Sequence, residues 1–379
     1  MKRLGILLII IAVHAGASAQ QIKWVTAYYA GWTQGNQWSY HLRPADIDFG
    51  AVTHIVHFSL GPNPDGSLND EGNNVNKENA AAIISAGHMA SKKVLICVGG
   101  WNSEIGFAEA TKAPTRTKFI DNLLNLVTNR GYDGIDIDWE PVSPKYFKQY
   151  EEFIIELRSS MMRAHSSLLL TAASGGEPVL FGRIYPYFDQ INLMTYDMSG
   201  AWPSWVTWHN APVYDGNFRF PATGQLVPSV NERVESYLRA EIPAAKLGIG
   251  IDFYGYVWNG GSGTATGGVT EPRQSWRTAP WVKDNVPYHD IMDTYFQSEY
   301  YHWDSVAQAA YLGIDKQGSA DDKFISYDDE TTCRKKIEYV KAKGLGGVIL
   351  WELGGGWRPK TNPPDKLLQA VKEAAGWKK

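Results

Sequence analysis

The sequence predicts an α/β protein built as a (β/α)8 TIM barrel with a small insertion between the seventh and eighth strands. Three observations carry that prediction. Short apolar, β-branched runs alternate with helical stretches; eight such runs can be counted; and one of them bears three acidic residues at strand spacing. At 379 residues the chain accommodates one such barrel with long loops.

The first element is a leader. Met1-Lys2-Arg3 is a basic start, residues 4–13 are almost wholly apolar, and Ala17-Ser18-Ala19 supplies the small-x-small pattern of a signal-peptidase site. Residues 1–19 are therefore expected to be a removed secretion signal, since the apolar run is too short to span a bilayer. A retained N-terminal anchor is the alternative. Loss of Lys2 and Arg3 takes the net charge from −4 to −6, and the mature chain is expected to be free of the membrane.

The eight strands are expected at residues 22–30, 51–59, 92–98, 133–139, 167–173, 188–195, 246–253 and 346–351. Between the third and fourth, Phe119, Ile120, Leu123, Leu124 and Val127 repeat at helical spacing, and Gly131 stops the helix. After the fourth, Tyr146, Phe147, Tyr150, Phe153, Ile154, Leu157 and Met161 draw a second apolar stripe. Both stripes read as core-facing helix faces. The longest gap separates the last two strands, and an insertion is expected there at about 256–322. Its glycine-rich stretch 260–268 lacks the Lys-Ser/Thr ending of a phosphate-binding loop, which argues against nucleotide binding.

Composition narrows the function. Hydrophobic residues at 44% and charged residues at 20% exclude a disordered chain. The slightly acidic balance, without long runs of either sign, argues against nucleic acid or an anionic membrane as partner. Cys97 and Cys333 are expected to be unpaired, one at a strand end and one at a helix start. The nine His residues show no zinc-ligand spacing, so neither metal nor cofactor is expected. Fifteen Trp outnumber thirteen Phe, and indoles in such number suit stacking on flat ligands.

The fourth strand carries the chemistry. In Gly131-Tyr-Asp133-Gly-Ile-Asp136-Ile-Asp138-Trp-Glu140-Pro141, Asp136, Asp138 and Glu140 share one face, while Ile135, Ile137 and Trp139 share the other. A barrel strand turns its apolar face to the surrounding helices, so the acids line the interior and rise towards the mouth. Strict alternation disfavours a solvated acidic face, and Ca²⁺ prefers ligands wrapped around a loop. Carboxyl groups this close resist simultaneous ionisation. Glu140, last in the row, is expected to keep its proton through its neighbours' negative charge and to act as a general acid. Asp138 lies roughly 7 Å away on the same face. A retaining glycosidase needs its second carboxylate across the sugar, so a nucleophile for such a reaction would come from another strand or from the substrate.

Asp133-x-x-Asp136-x-Asp138-x-Glu140 resembles the signature of glycoside hydrolase family 18, the chitinases and their relatives. Lys93-Val-Leu-Ile-Cys97-Val-Gly99-Gly100-Trp101 is similar to the family's third-strand motif, Gln190-Ile-Asn192-Leu-Met194-Thr-Tyr196-Asp197 to its sixth and Gly346-Gly347-Val-Ile-Leu-Trp351-Glu352 to its eighth. Ala27-Tyr28-Tyr29 and Thr53-His-Ile-Val-His-Phe58 look like the first two. The resemblance implies that the substrate's acetamido oxygen attacks its own C1. Glu140 would then serve as acid and base, Asp138 would hold the acetamido N–H, and Asp136 would share its proton. Tyr196 would donate to the acetamido oxygen and Asp197 would bind the distorted sugar. It further implies a pocket floored by Trp351 and lined by Tyr28, Phe58, Met194 and Gly100, with Trp101 and Trp202 stacking on the product side. Two departures stand out: Cys97 replaces the usual Ser, and Pro141 follows the acid where many members carry an aromatic.

The function expected is a secreted, monomeric chitinase cleaving β-1,4 bonds between N-acetylglucosamine units with retention. An endo-β-N-acetylglucosaminidase acting on N-glycan cores is the nearest alternative. A non-catalytic lectin is another, although Glu140 and Asp138 are both present.

Overall fold

The computed structural model describes residues 21–35 and 40–377; the leader expected at 1–19 lies outside them. Numbered in chain order, seven barrel strands, β1 (Trp24–Ala30), β2 (His54–Pro62), β3 (Lys93–Gly100), β4 (Gly134–Trp139), β5 (Leu169–Ser174), β6 (Gln190–Leu193) and β7 (Leu247–Asp252), precede an insertion, and a short strand at Leu68–Asn69 pairs antiparallel with the end of β2. The insertion holds β8 (Tyr254–Asn259), β9 (Trp281–Pro287), β10 (Tyr301–Asp304), β11 (Ala309–Ile314) and β12 (Lys323–Tyr327). The last barrel strand is β13 (Gly347–Trp351). Parallel pairing runs β1-β13-β7-β6-β5-β4-β3-β2, and β2 returns to β1, closing an eight-stranded barrel. All eight expected strands are present, each within three residues of its expected ends.

The register explains the sidedness of β4. Ile135 and Ile137 face outward into the large core between barrel and helices, where Trp139 stacks on Phe107 (centroids 4.8 Å apart, 6° between planes). Both expected helices form. Ala113–Arg130 buries Phe119, Ile120, Leu123 and Val127, and Gly131 ends it in the left-handed region at φ 83°. Phe147–Ala164 buries Tyr150, Phe153, Ile154, Leu157 and Met161.

The insertion is a five-stranded antiparallel sheet ordered β9-β8-β12-β11-β10. Its strands span Tyr254 to Tyr327, slightly wider than the range read from the sequence. Between β6 and the helix Val230–Arg239 the chain runs without regular structure but carries its own small core of Val206, Trp208, Phe220 and Val227, closed by Ala307 and Ala309 of the insertion. Arg273 clamps the two segments, pairing with Asp304 (2.5 Å) and lying over the Trp208 ring (5.0 Å). The free cysteines are both buried. Cys333 lies near the start of the helix Glu330–Lys343 as expected, but Cys97 sits in the middle of β3 rather than at its end.

Candidate active site

Side chains pointing inward from β4 meet those of its neighbours along the barrel axis. Asp136 is the deepest acid and fully buried; its Oδ2 accepts from Tyr28 Oη of β1 (2.7 Å) and its Oδ1 from Thr171 Oγ1 of β5 (2.5 Å). The Cys97 thiol, in register on β3, also bonds to it. Burial pushes the Asp136 carboxyl above the usual range, while the three donors pull it back.

Asp138, one step up, is 3% exposed. Burial, then the charges of Glu140 and Asp136, push its carboxyl well above the usual range, and it shares a hydrogen bond with the Glu140 carboxyl. Its Oδ1 is buried without a hydrogen-bond partner, which leaves an acceptor of the kind that buried polar groups rarely leave unfilled.

Glu140 stands half-buried where β4 leaves the barrel, its backbone N–H donating to Ser103 Oγ (3.0 Å). Its carboxyl is pushed up to about 7, chiefly by burial. The expected cause needs correcting. The strand neighbour Asp138 lowers the value by hydrogen bonding, and the charges that raise it come from Asp197, after β6, and Glu177, after β5. Asp133, first acid of the motif, lies outside this group. It accepts from Val94 N (2.9 Å) and pairs with Lys93 (2.7 Å) just before β4 begins, at the opposite end of the strand from Glu140.

The aromatic residues form a floor. Trp351, ending β13, has its ring 4.7 Å from Phe58 and 5.4 Å from Tyr28, both near-buried. Trp32, which the sequence reading missed, closes the group 5.6 Å from Phe58. Phe58, Tyr28, Tyr196 and half-buried Met194 belong to one apolar cluster with Trp351. Gly100 backs Phe58 directly: a Cβ there would lie 2.6 Å from the ring. Trp101 and Trp202 are not drawn into this cluster. They stay 74% and 47% exposed, Trp202 resting on Trp205 (4.4 Å).

Past β6, Tyr196 is near-buried against Gly250, and burial followed by the Asp138 charge keeps its phenol protonated. Asp197 takes a left-handed backbone at φ 57°, and its Oδ1 accepts from Tyr254 Oη (2.6 Å) and Tyr256 Oη (2.9 Å) of β8. Those two tyrosines were also missed, although their alternation on one face just after the seventh strand is the same period-2 signal that the acids of β4 display. Among the described residues no group of three or more His, Cys, Asp or Glu is placed to hold a metal ion.

An acid held near neutrality, a buried carboxyl partner with an empty acceptor, and an aromatic floor suit cleavage of a sugar acetal, and comparison with known proteins names the family. The sequence model of glycosyl hydrolases family 18 matches residues 25–356. The chain belongs to that family. Chitinase A1 of Niallia circulans is 32% identical over 297 residues, 69% of this chain and 40% of that protein, so the chain spans about two fifths of that relative's length. Endochitinase 1 of Metarhizium robertsii is 26% identical over 94% of this chain and 84% of its own. The Group IV chitinase of Ostrinia furnacalis, solved in complex with allosamidin, shares the fold at a TM-score of 0.77 and 24% identity, covering 93% of this chain and 98% of that one. This family 18 chain thus presents Asp136, Asp138 and Glu140 in a row from barrel centre to mouth, with Asp138 hydrogen-bonded to Glu140 and subject to the charge of Asp136.

Proposed function

We propose that this glycoside hydrolase is a secreted chitinase, cleaving β-1,4 bonds between N-acetylglucosamine units of chitin or its oligosaccharides with retention. The observation that carries the reading is the Asp138–Glu140 pair: one proton-holding carboxyl at the mouth and one beneath it whose Oδ1 lacks a donor. An acetamido N–H of the sugar is a fitting donor for that oxygen. Asp197 cannot readily serve as an opposing nucleophile, since two phenols already hold its Oδ1. Glu177 follows β5, the strand beside β4, rather than lying across from Glu140, and its Oε2 accepts from Ser174 Oγ (3.2 Å) and Gly176 N (2.8 Å). The acetamido oxygen of the substrate is then the group left to attack C1, the substrate-assisted route.

In this reading Glu140 protonates the leaving oxygen and later takes a proton from water. Asp138 orients the acetamide and balances the positive charge that develops on it. Asp136, held by Tyr28 and Thr171, acts on Asp138 from below through its charge, and Tyr196 donates to the acetamido oxygen. Trp351 floors the cleaved sugar, with Tyr28, Phe58 and Met194 around it. Trp101 and Trp202, exposed on loops, offer flat rings to the product-side chain. Relatives named chitinase and endochitinase support the substrate class, and the leader read from the sequence supports secretion.

The test is release of reducing ends from chitohexaose. Wild-type protein is expected to cleave it and to leave a fully deacetylated chain intact. Glu140→Gln should lose about 10²- to 10⁴-fold in kcat while still binding the oligosaccharide. Equal turnover of the deacetylated chain would reject the substrate-assisted route, and near-normal turnover by Glu140→Gln would reject the assigned acid.

A further inference from the structure

Behind Asp197 lies a fully buried polar group that the steps above do not use. Lys336, on the helix Glu330–Lys343 that follows the insertion, donates to Asp252 Oδ1 (3.2 Å) and to Asp328 Oδ2. All three are buried, with two acids to one base. Taking such charges out of water is costly and seldom gains stability over an apolar core, which raises the question of what the group positions. Asp252 ends β7, and its Oδ2 accepts from Asn210 Nδ2 (2.6 Å). Asn210 Oδ1 in turn accepts from the backbone N–H of Asp197 (3.1 Å). Asn210 itself is fully buried, pinned to the last insertion strand by its N–H donating to Ser326 Oγ (2.7 Å) and to the Asp197 loop by its carbonyl accepting from Met198 N (2.9 Å).

We infer that Asn210, oriented by the Lys336–Asp252–Asp328 group, is a positioning residue that holds Asp197 in its left-handed conformation and aims its carboxylate at the reacting sugar. The chemistry of the link requires an amide. One end must accept from an N–H and the other must donate to a carboxylate, which the oxygen and NH2 of an amide do from opposite sides. Asp at this position would set two carboxylates against each other; Ala would release the Asp197 N–H. A left-handed backbone at a non-glycine residue is kept only where its surroundings fix it, and here Asn210 holds the Asp197 N–H while Tyr254 and Tyr256 hold its carboxylate. The inference rests on the hydrolytic reading given above.

A double-mutant cycle tests it, with Asn210→Ala, Asp197→Ala and the double variant assayed on chitotriose. Asn210→Ala should lower kcat by about 10- to 100-fold, the scale of a misplaced reacting group. In the Asp197→Ala background the same substitution should cost less than about threefold, because its effect is already spent. A merely structural role predicts a lower melting temperature with equal fold losses in both backgrounds, and that result would overturn the inference. Asn210→Asp, which opens no cavity, is the second variant: it should show the same loss in kcat, and full activity would also overturn the inference. Wild-type protein that leaves chitotriose uncut sinks the hydrolytic reading and this inference with it. An active wild type with additive losses rejects the positioning role alone.

Discussion

Glu140 has to keep its proton until the bridging oxygen takes it, and the site arranges this mainly by withholding water. Burial alone favours the neutral acid, the negative charges of Asp197 and Glu177 add to it, and together they lift the carboxyl to about 7 against the hydrogen bond from Asp138. Turnover should therefore fall as pH rises through about 7, where the acid ionises before it can serve. Glu177 supplies a handle on that limb. Glu177→Gln removes a negative charge that favours the protonated form, so the alkaline limb of kcat against pH should move down by roughly half a unit, with little change at the optimum. An unmoved or raised limb would mean that Glu177 does not act on the acid. The sequence could not have supplied Glu177. Its influence depends on how the loop after β5 turns its side chain towards Glu140, and no spacing along the chain encodes that. The ladder itself was legible because alternation on a single strand is local. Thr171, which bonds to it, and Tyr254, Tyr256 and Asn210, which hold Asp197 beside it, come from elsewhere in the chain and meet only in the closed barrel.

At the scale of elements, the end of β3 controls the floor built on β13. Gly100 has φ 105°, a backbone that residues with a Cβ rarely adopt, and the Phe58 ring stands where a Cβ would go. Phe58 in turn abuts Trp351. Gly100→Ala should thus act twice. Backbone strain should lower stability by about 1–3 kcal/mol, and the displaced Phe58 should tilt Trp351 and lower kcat/KM on chitotriose by roughly tenfold or more. Thermal melts with steady-state kinetics separate the two effects. A variant that melts early yet keeps normal kcat/KM would show that Phe58 and Trp351 move independently. Such core-facing elements were the ones legible in the sequence. The barrel strands are short apolar runs, buried on both faces, and the helices between β3, β4 and β5 carry clear apolar stripes. The insertion strands were not individually legible, because a strand such as β9 is exposed along most of its length and shows no alternation. The irregular stretch after β6 was missed for a related reason: its small core is closed by Ala307 and Ala309, some eighty residues or more away in the sequence.

For the molecule as a whole, the same burial that equips the site sets how the fold responds to pH. Glu352 and Asp365, which cap the short helix after β13 and the C-terminal helix, are pushed by burial up to about 7, as Glu140 is. In the unfolded chain such groups ionise near 4. Between those values the native state holds more protons than the unfolded one, so stability is lost as pH rises through about 7. The buried histidines act in the opposite sense. His54 and His57 are pushed down by burial to about 4 and about 3, so the unfolded chain takes up protons below about 6.5 that the fold refuses, and stability is lost on that side as pH falls. The two trends oppose each other between about 4 and 6.5. Above 6.5 the histidines are neutral in both states, which leaves the carboxyls to set the slope. Melting temperature should therefore drop between pH 6.5 and 8. Glu352→Gln, whose one amide oxygen can accept from only one of Gly354 and Gly355, has no proton to lose there and should show a shallower drop than wild type. The comparison uses the slope rather than the absolute melting temperature, because the cap itself is weakened at every pH. An identical slope in both proteins would mean that Glu352 is already ionised in the fold, and that burial behind Trp351 is less complete than its packing implies.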